Sequence, residues 1–258
     1  MSQLIDGVFY SSLIRKDIPY RVRVPDPVAE SDEPLPVLYL LHGLFGTFTN
    51  WTDLTGLARY LENTNLLVVM PDGGDNWYTD GEEMYESYLR DDLMPEIEGR
   101  FRAGLNRGRR AVAGNSMGGY GALKLAFRNP ELFCFVAAFS GAFHASRVTG
   151  DTNYGELAPS VNKVFGEPRS GVRSHNDLFE MAVSASGNPD LVPSIYFDCG
   201  SDDQFIAVNR EFSETLSAGG IEHEFVETEG GHDWPYWDER IHFLVSLLVK
   251  RGFCRSSR

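Results

Sequence analysis

An α/β architecture with a mostly parallel central sheet is what this 258-residue sequence predicts, and three observations predict it. Short continuous apolar runs recur along the chain, at Val37 to Leu41, Leu66 to Met70, Ala111 to Ala113, Cys134 to Phe139 and Ser194 to Asp198, as strands covered on both faces do. Stretches with helical apolar spacing separate them, and this alternation implies right-handed crossovers with helices on both faces of the sheet. The runs end in glycine-rich or polar turns, and in such sheets the ligand site lies at the carboxyl ends of the strands.

Taken in order, Gly7 to Ile14 and Tyr20 to Val24 alternate in strand fashion around a turn at Asp17 to Pro19, an antiparallel hairpin at the sheet edge. Pro25 to Pro36, rich in proline and acids, reads as a surface loop. The strand Val37 to Leu41 runs into His42-Gly43-Leu44-Phe45-Gly46, and Trp51 to Asn63 has helical spacing. The strand Leu66 to Met70 is followed by an aromatic loop with Trp77 and Tyr78, then by a long helix, Met84 to Phe101. After the strands ending at Ala113 and Phe139, Ala142 to about Pro193 shows no strand–helix beat. Asn176-Asp177 can cap a short helix there, Leu178 to Ser184, and the stretch is read as a cap inserted over the sheet. The beat resumes with strand Ser194 to Asp198, helix Phe205 to Ser217, strand Glu222 to Glu227 and a last helix from about Trp237 to Lys250.

Composition narrows the function classes. With 42% hydrophobic residues the chain fills one sizeable core, so residues 1–258 are read as a single domain with the insertion at about 142–193. The formal net charge of −14 argues against nucleic acid or an anionic membrane surface as partner. Neither a secretory signal pattern at the N-terminus nor an apolar run of membrane-spanning length is evident. The three distant cysteines, Cys134, Cys199 and Cys254, fit a reducing, cytoplasmic compartment. No paired cysteine or histidine motif suggests a metal, and no cofactor is expected.

The chemistry centres on Ala111 to Lys124, AVAGNSMGGYGALK, where a strand meets a helix through Gly114-Asn115-Ser116-Met117-Gly118. In such a G-x-S-x-G elbow the serine sits on a strained turn with its oxygen above the sheet. Five residues of this form arise by chance in roughly one chain in ten of this length, so the weight lies on context. A serine hydroxyl is a weak nucleophile that needs a base, itself oriented by an acid. Among the six histidines, His42 precedes the serine, His144 and His175 fall in the insertion, His223 in a strand and His242 in a helix. His232 follows the final strand in a loop able to reach the elbow, and is the candidate base. For the acid, Asp202 and Asp203 both follow the strand ending at Asp198, and the residues alone leave the choice open.

Four segments together resemble the esterase D family of α/β-hydrolases: Gly114 to Ala122, His42-Gly43-Leu44, Gly200 to Phe205, and Gly231-His232-Asp233-Trp234. The resemblance runs from Val37 to the last helix and implies an α/β-hydrolase fold. The elbow and the Gly231 to Trp237 segment are most similar to the tributyrin and acetyl esterase branch. S-formylglutathione hydrolases typically have histidine where Tyr120 stands. Matching the family's D-D-Q-F segment assigns the acid to Asp203. The resemblance implies a serine carboxylesterase for short-chain esters, with Ser116, Asp203 and His232 catalytic and the backbone N–H groups of Leu44 and Met117 meeting the oxyanion. Related activities in the family are formylglutathione thioester hydrolysis, feruloyl ester hydrolysis and acyl transfer, and a non-catalytic binding protein would have a broken triad. The implied partner is a small-molecule ester, and family members are often homo-oligomers. Phe45, Trp77, Tyr78 and Trp234 are read as substrate-pocket residues, while Trp51 and Trp237 are read as packing helices onto the sheet.

Overall fold

The structure, a computed structural model, describes residues 3–26, 33–150 and 154–256. Its strands are β1 (Gln3–Ser11), β2 (Lys16–Val24), β3 (Val37–Leu41), β4 (Leu67–Pro71), β5 (Arg110–Asn115), β6 (Phe135–Phe139), β7 (Ser194–Gly200) and β8 (His223–Thr228). Among the described residues they form one mixed sheet in the order β1-β2-β4-β3-β5-β6-β7-β8. The first three strands in that order pair antiparallel, and β4 through β8 pair parallel. This is the α/β-hydrolase architecture with its N-terminal hairpin at one edge. The hairpin turn lies earlier than the proline suggests, at residues 12–15. Arg15 takes a left-handed φ of 62° and donates its N–H to the Ser11 carbonyl at 2.8 Å. Pro19 stands inside β2, opposite Val8 and just outside the ladder with β4, which starts at Tyr20. Residues 27–32 of the acidic proline-rich stretch lie outside the described residues.

The helices are α1 (Asn50–Asp53), α2 (Leu57–Tyr60), α3 (Tyr85–Ser87), α4 (Met94–Phe101), α5 (Met117–Arg128), α6 (Ala158–Phe165), α7 (Gly171–His175), α8 (Leu178–Ala185), α9 (Ile206–Ala218) and α10 (Trp234–Lys250). The single helix expected over 51–63 is therefore two. Gly56 interrupts it, its N–H given to Asp238 of α10 at 2.7 Å rather than to a helical carbonyl. The long helix over 84–101 is present, with a π-helical stretch at Tyr88–Leu93 between α3 and α4. The last helix starts three residues earlier than its spacing suggests, because Asp233 caps it by accepting from the Tyr236 N–H at 3.0 Å. Among the described residues no helix is long and apolar enough to cross a membrane.

Alternate residues of each central strand feed opposite faces, as the period of two requires. Val37, Tyr39 and Leu41 join one apolar cluster with α5, α8 and α9, while Leu38 and Leu40 join the other with Trp51, Leu57 and α10. The stretch 142–193 contributes α6, α7 and α8 and no strand among its described residues, three helices where the sequence showed one. Val161, Phe165, Leu178 and Phe179 are buried in the first cluster, and the Tyr120 hydroxyl of α5 donates to the Asn176 carbonyl at 2.8 Å. Beneath them the buried ammonium of Lys124 meets Glu86 at 3.0 Å and Thr79 at 2.6 Å.

The chain turns from β4 across β3 to β5, so the sheet's topological switch lies between β3 and β5, where a ligand crevice forms. That crossing is tight. A Cβ on Gly118 would lie 2.4 Å from the Leu41 carbonyl oxygen and 2.7 Å from that of His42. Gly118→Ala is expected to lose about 1–3 kcal/mol of stability in urea unfolding, because rigid backbone must move. Gly99→Ala, on an exposed helical site with nothing within 4 Å, should gain about 0.5–1 kcal/mol.

Candidate active site

Ser116 is the bend between β5 and α5. Its backbone lies at φ 53°, ψ −115°, a conformation that costs a non-glycine residue roughly 1–3 kcal/mol. Three hydrogen bonds hold it there. The Ser116 N–H donates to the Phe139 carbonyl at 2.9 Å, and its own carbonyl accepts from the N–H groups of Tyr120 and Ala142, each at 3.1 Å. The bend lifts the hydroxyl above the carboxyl edge of the sheet, where the loops after β3, β7 and β8 also end.

His232, on the loop after β8, brings Nε2 to 3.0 Å from Ser116 Oγ and Nδ1 to 2.9 Å from Asp203 Oδ2. Its ring is wedged edge-on between Phe205, at 4.9 Å and 84°, and Trp237, at 5.0 Å and 85°. Asp203 is buried, and its Oδ1 accepts the Phe205 N–H at 2.7 Å. Burial pushes this carboxyl's pKa up, but the hydrogen bond and charge of His232, the Phe205 N–H and the Ser140 hydroxyl outweigh it and hold the group below the usual carboxylate range. Asp202 points outward and is exposed, so geometry separates two residues that sequence physics left equivalent.

The loop after β3 is shaped by His42, which is buried and neutral. Its Nε2 accepts the Gly73 N–H at 2.9 Å, so Nδ1 carries the proton and donates to the Gly43 carbonyl at 2.8 Å. Burial depresses its pKa. Within that loop the Phe45 N–H is committed to Asp75 at 2.8 Å, with Phe45 at φ 62°. Among the described residues the N–H groups of Leu44 and Met117 have no protein acceptor, and the second opens α5, where helix geometry leaves donors free. The remaining histidines are elsewhere. His223 bonds Ser213, His242 stacks on Tyr60, and His144 is buried between Tyr154 and Phe205.

A cavity of about 440 Å³ opens over Ser116 and His232, walled by Leu44, Phe45, Asn115 and Trp234. Phe45, 80% exposed, stands at its mouth. Two expected pocket residues do not reach it. Trp77 and Tyr78 are each 1% exposed, because both take left-handed backbone (φ 53° and 48°) that turns their rings under α5. The Trp77 indole donates to Ser160 at 2.9 Å, and the Tyr78 hydroxyl donates to the His42 carbonyl at 3.0 Å. Trp51 packs in the core as read from sequence, but Trp237 both packs and lines the cavity. Its spacing of three from Trp234, on the first turn of α10, is the signal that could have placed it there. Among the described residues no group of three or more His, Cys, Asp or Glu side chains is arranged to hold a metal ion.

Behind the acid loop, Asp198 of β7 is fully buried and accepts from the hydroxyls of Tyr196 (2.7 Å) and Tyr236 (2.9 Å).

Comparison with known proteins adds the family. The Esterase family profile matches residues 11–243. An acetyl esterase of Caldicellulosiruptor saccharolyticus is 30% identical over 256 residues, spanning 94% of this chain and 96% of the relative. A fluorophosphonate-binding serine hydrolase of Staphylococcus aureus superposes with TM-score 0.85 at 24% identity, over 96% of this chain and 98% of the other. The S-formylglutathione hydrolase of Staphylococcus aureus gives 0.84 at 24% identity, over 96% and 99%. At that identity the two structures speak for the fold.

Desolvation raises the Asp198 pKa to about 7, against the opposing effects of Tyr196, Arg240 and Tyr236. A carboxyl raised from 3.8 in the unfolded chain contributes stability that is complete below pH 4 and lost as pH rises through about 7. Against Asp198→Asn, the wild type should therefore lose up to roughly 4 kcal/mol between pH 4 and 7.5 in urea unfolding, and the variant should lack that slope.

Proposed function

The chain belongs to the Esterase family, and on that premise we propose that it is a serine carboxylesterase hydrolysing short-chain acyl esters, acetyl to butyryl, through an acyl-enzyme. The observation that carries this reading is the unbroken line of hydrogen bonds from Asp203 through His232 to Ser116, at 2.9 and 3.0 Å. Ser116 Oγ attacks the ester carbonyl carbon while His232 Nε2 takes its proton, and Asp203 holds the imidazole in the tautomer with its proton on Nδ1. The carbonyl oxygen becomes an oxyanion that accepts from the N–H groups of Leu44 and Met117. The imidazolium then protonates the departing alcohol. A water, giving its proton to His232, attacks the acyl carbon and restores the serine. The small cavity, walled by Leu44 and Trp234, supports a short acyl chain.

Ser116→Ala should lower hydrolysis of p-nitrophenyl acetate on the order of 10⁴–10⁶-fold and abolish labelling by a fluorophosphonate, read by intact mass. Wild-type turnover in that variant would end the serine mechanism. In an acyl series from acetyl to octanoyl, kcat/KM should peak by butyryl. A larger kcat/KM for S-formylglutathione or a feruloyl ester would replace the substrate class and leave the serine in place. Trp234→Ala should move the optimum to longer chains.

A further inference from the structure

Ser140 closes β6 and is fully buried, yet its backbone lies at φ 50°. A non-glycine residue there is strained, and glycine would adopt the conformation freely. What serine adds is the hydroxyl, and its surroundings say what the hydroxyl does. The backbone N–H of Ser140 donates to the Asp198 carbonyl at 2.8 Å, which anchors the residue against β7. Its Oγ accepts the indole N–H of Trp237 at 3.1 Å. A hydroxyl has a single proton to give. With the indole on its oxygen, that proton is left for the two acceptors beside it, the Asp203 carboxylate and the Cys199 sulfur, whose ionised forms the hydroxyl favours. The carboxylate is the stronger acceptor, since burial keeps the thiol protonated. Trp237 meanwhile sets its ring edge-on against His232 at 5.0 Å. One tryptophan thus touches the imidazole directly and the acid through one serine.

We propose that Ser140 and Trp237 form a positioning clamp on the Asp203–His232 pair, the indole N–H fixing the Ser140 hydroxyl so that it donates to Asp203 while the indole ring fixes the plane of His232. The proposal deepens the esterase reading and rests on it for its catalytic consequence. Asp203 already accepts the Phe205 N–H on Oδ1 and His232 on Oδ2. A third donor, from a rigid strand end, adds to the two that already orient the carboxylate. The other titratable groups around the clamp are engaged elsewhere. Asp198 is held by Tyr196 and Tyr236, and the Tyr154 hydroxyl donates to the Gln204 carbonyl at 3.0 Å.

Three variants of the full chain separate the parts. Ser140→Gly removes the hydroxyl and relieves the backbone, Ser140→Ala removes the hydroxyl alone, and Trp237→Phe keeps a ring against His232 but loses the N–H. The readouts are kcat and KM for p-nitrophenyl acetate and the low-field proton resonance of the His232 Nδ1–H bonded to Asp203. We expect each variant to lower kcat about tenfold with KM within about twofold, and the resonance to move upfield or broaden. The double variant Ser140→Gly with Trp237→Phe should fall little further than Ser140→Gly, because the N–H acts through the hydroxyl. A wild-type resonance in Ser140→Gly and Ser140→Ala, or losses that multiply in the double variant, would overturn the clamp. The resonance does not depend on turnover. A wild type that hydrolyses no ester would therefore refute the esterase reading, and the clamp would still be judged by the spectrum.

Discussion

The bend at Ser116 is the constraint on which the rest of the structure depends. A serine at φ 53° is uphill for its backbone, and it stays there because β6 holds its N–H and both α5 and the chain after β6 hold its carbonyl. The close crossing of β5 and α5 over the end of β3 leaves no room for a Cβ at Gly114 or Gly118. Steric exclusion on one side and hydrogen bonds on the other aim one hydroxyl at the carboxyl edge of the sheet. Every other site residue then needs only to reach that point.

Two buried carboxyls a few residues apart show how environment divides labour. Asp203 is desolvated, yet His232, the Phe205 N–H and Ser140 favour its charged form, and its pKa falls. Asp198 is desolvated with phenols as its direct donors, and its pKa climbs to about 7. The same residue type on the same strand and loop thus supplies a permanent negative charge facing the imidazole and a near-neutral group behind it. The buried His42 adds no charge either, since desolvation keeps its ring neutral while both nitrogens are bonded.

The stretch after β6 is not a loose cover. Its helices bury aromatic and aliphatic side chains in the same cluster as α5, and Trp77 and Tyr120 of the main body pack on Phe165 from it. The Arg173 guanidinium gathers the carbonyls of Ser146, Val148 and Gly166. The elbow helix therefore lies between the sheet and this segment, held from both sides.

Much of this was legible in the sequence because it rests on local rules. Short continuous apolar runs bounded by turns read as strands buried on both faces, and their alternation with helices implies parallel order and places Ser116, Asp203, His232 and the His42–Leu44 loop on one edge. What needed the tertiary structure was decided by contacts between residues far apart in the chain. Asp203 differs from Asp202 by which one turns inward toward a histidine 29 positions on. Trp77 and Tyr78 leave the pocket because left-handed backbone, invisible to side-chain pattern, rotates them under α5. The helix over 51–63 breaks because Asp238, far along the chain, claims the Gly56 N–H. Periodicity records which face of an element is apolar, and it carries no record of the partner that a side chain or a lone backbone donor meets once the chain has closed on itself.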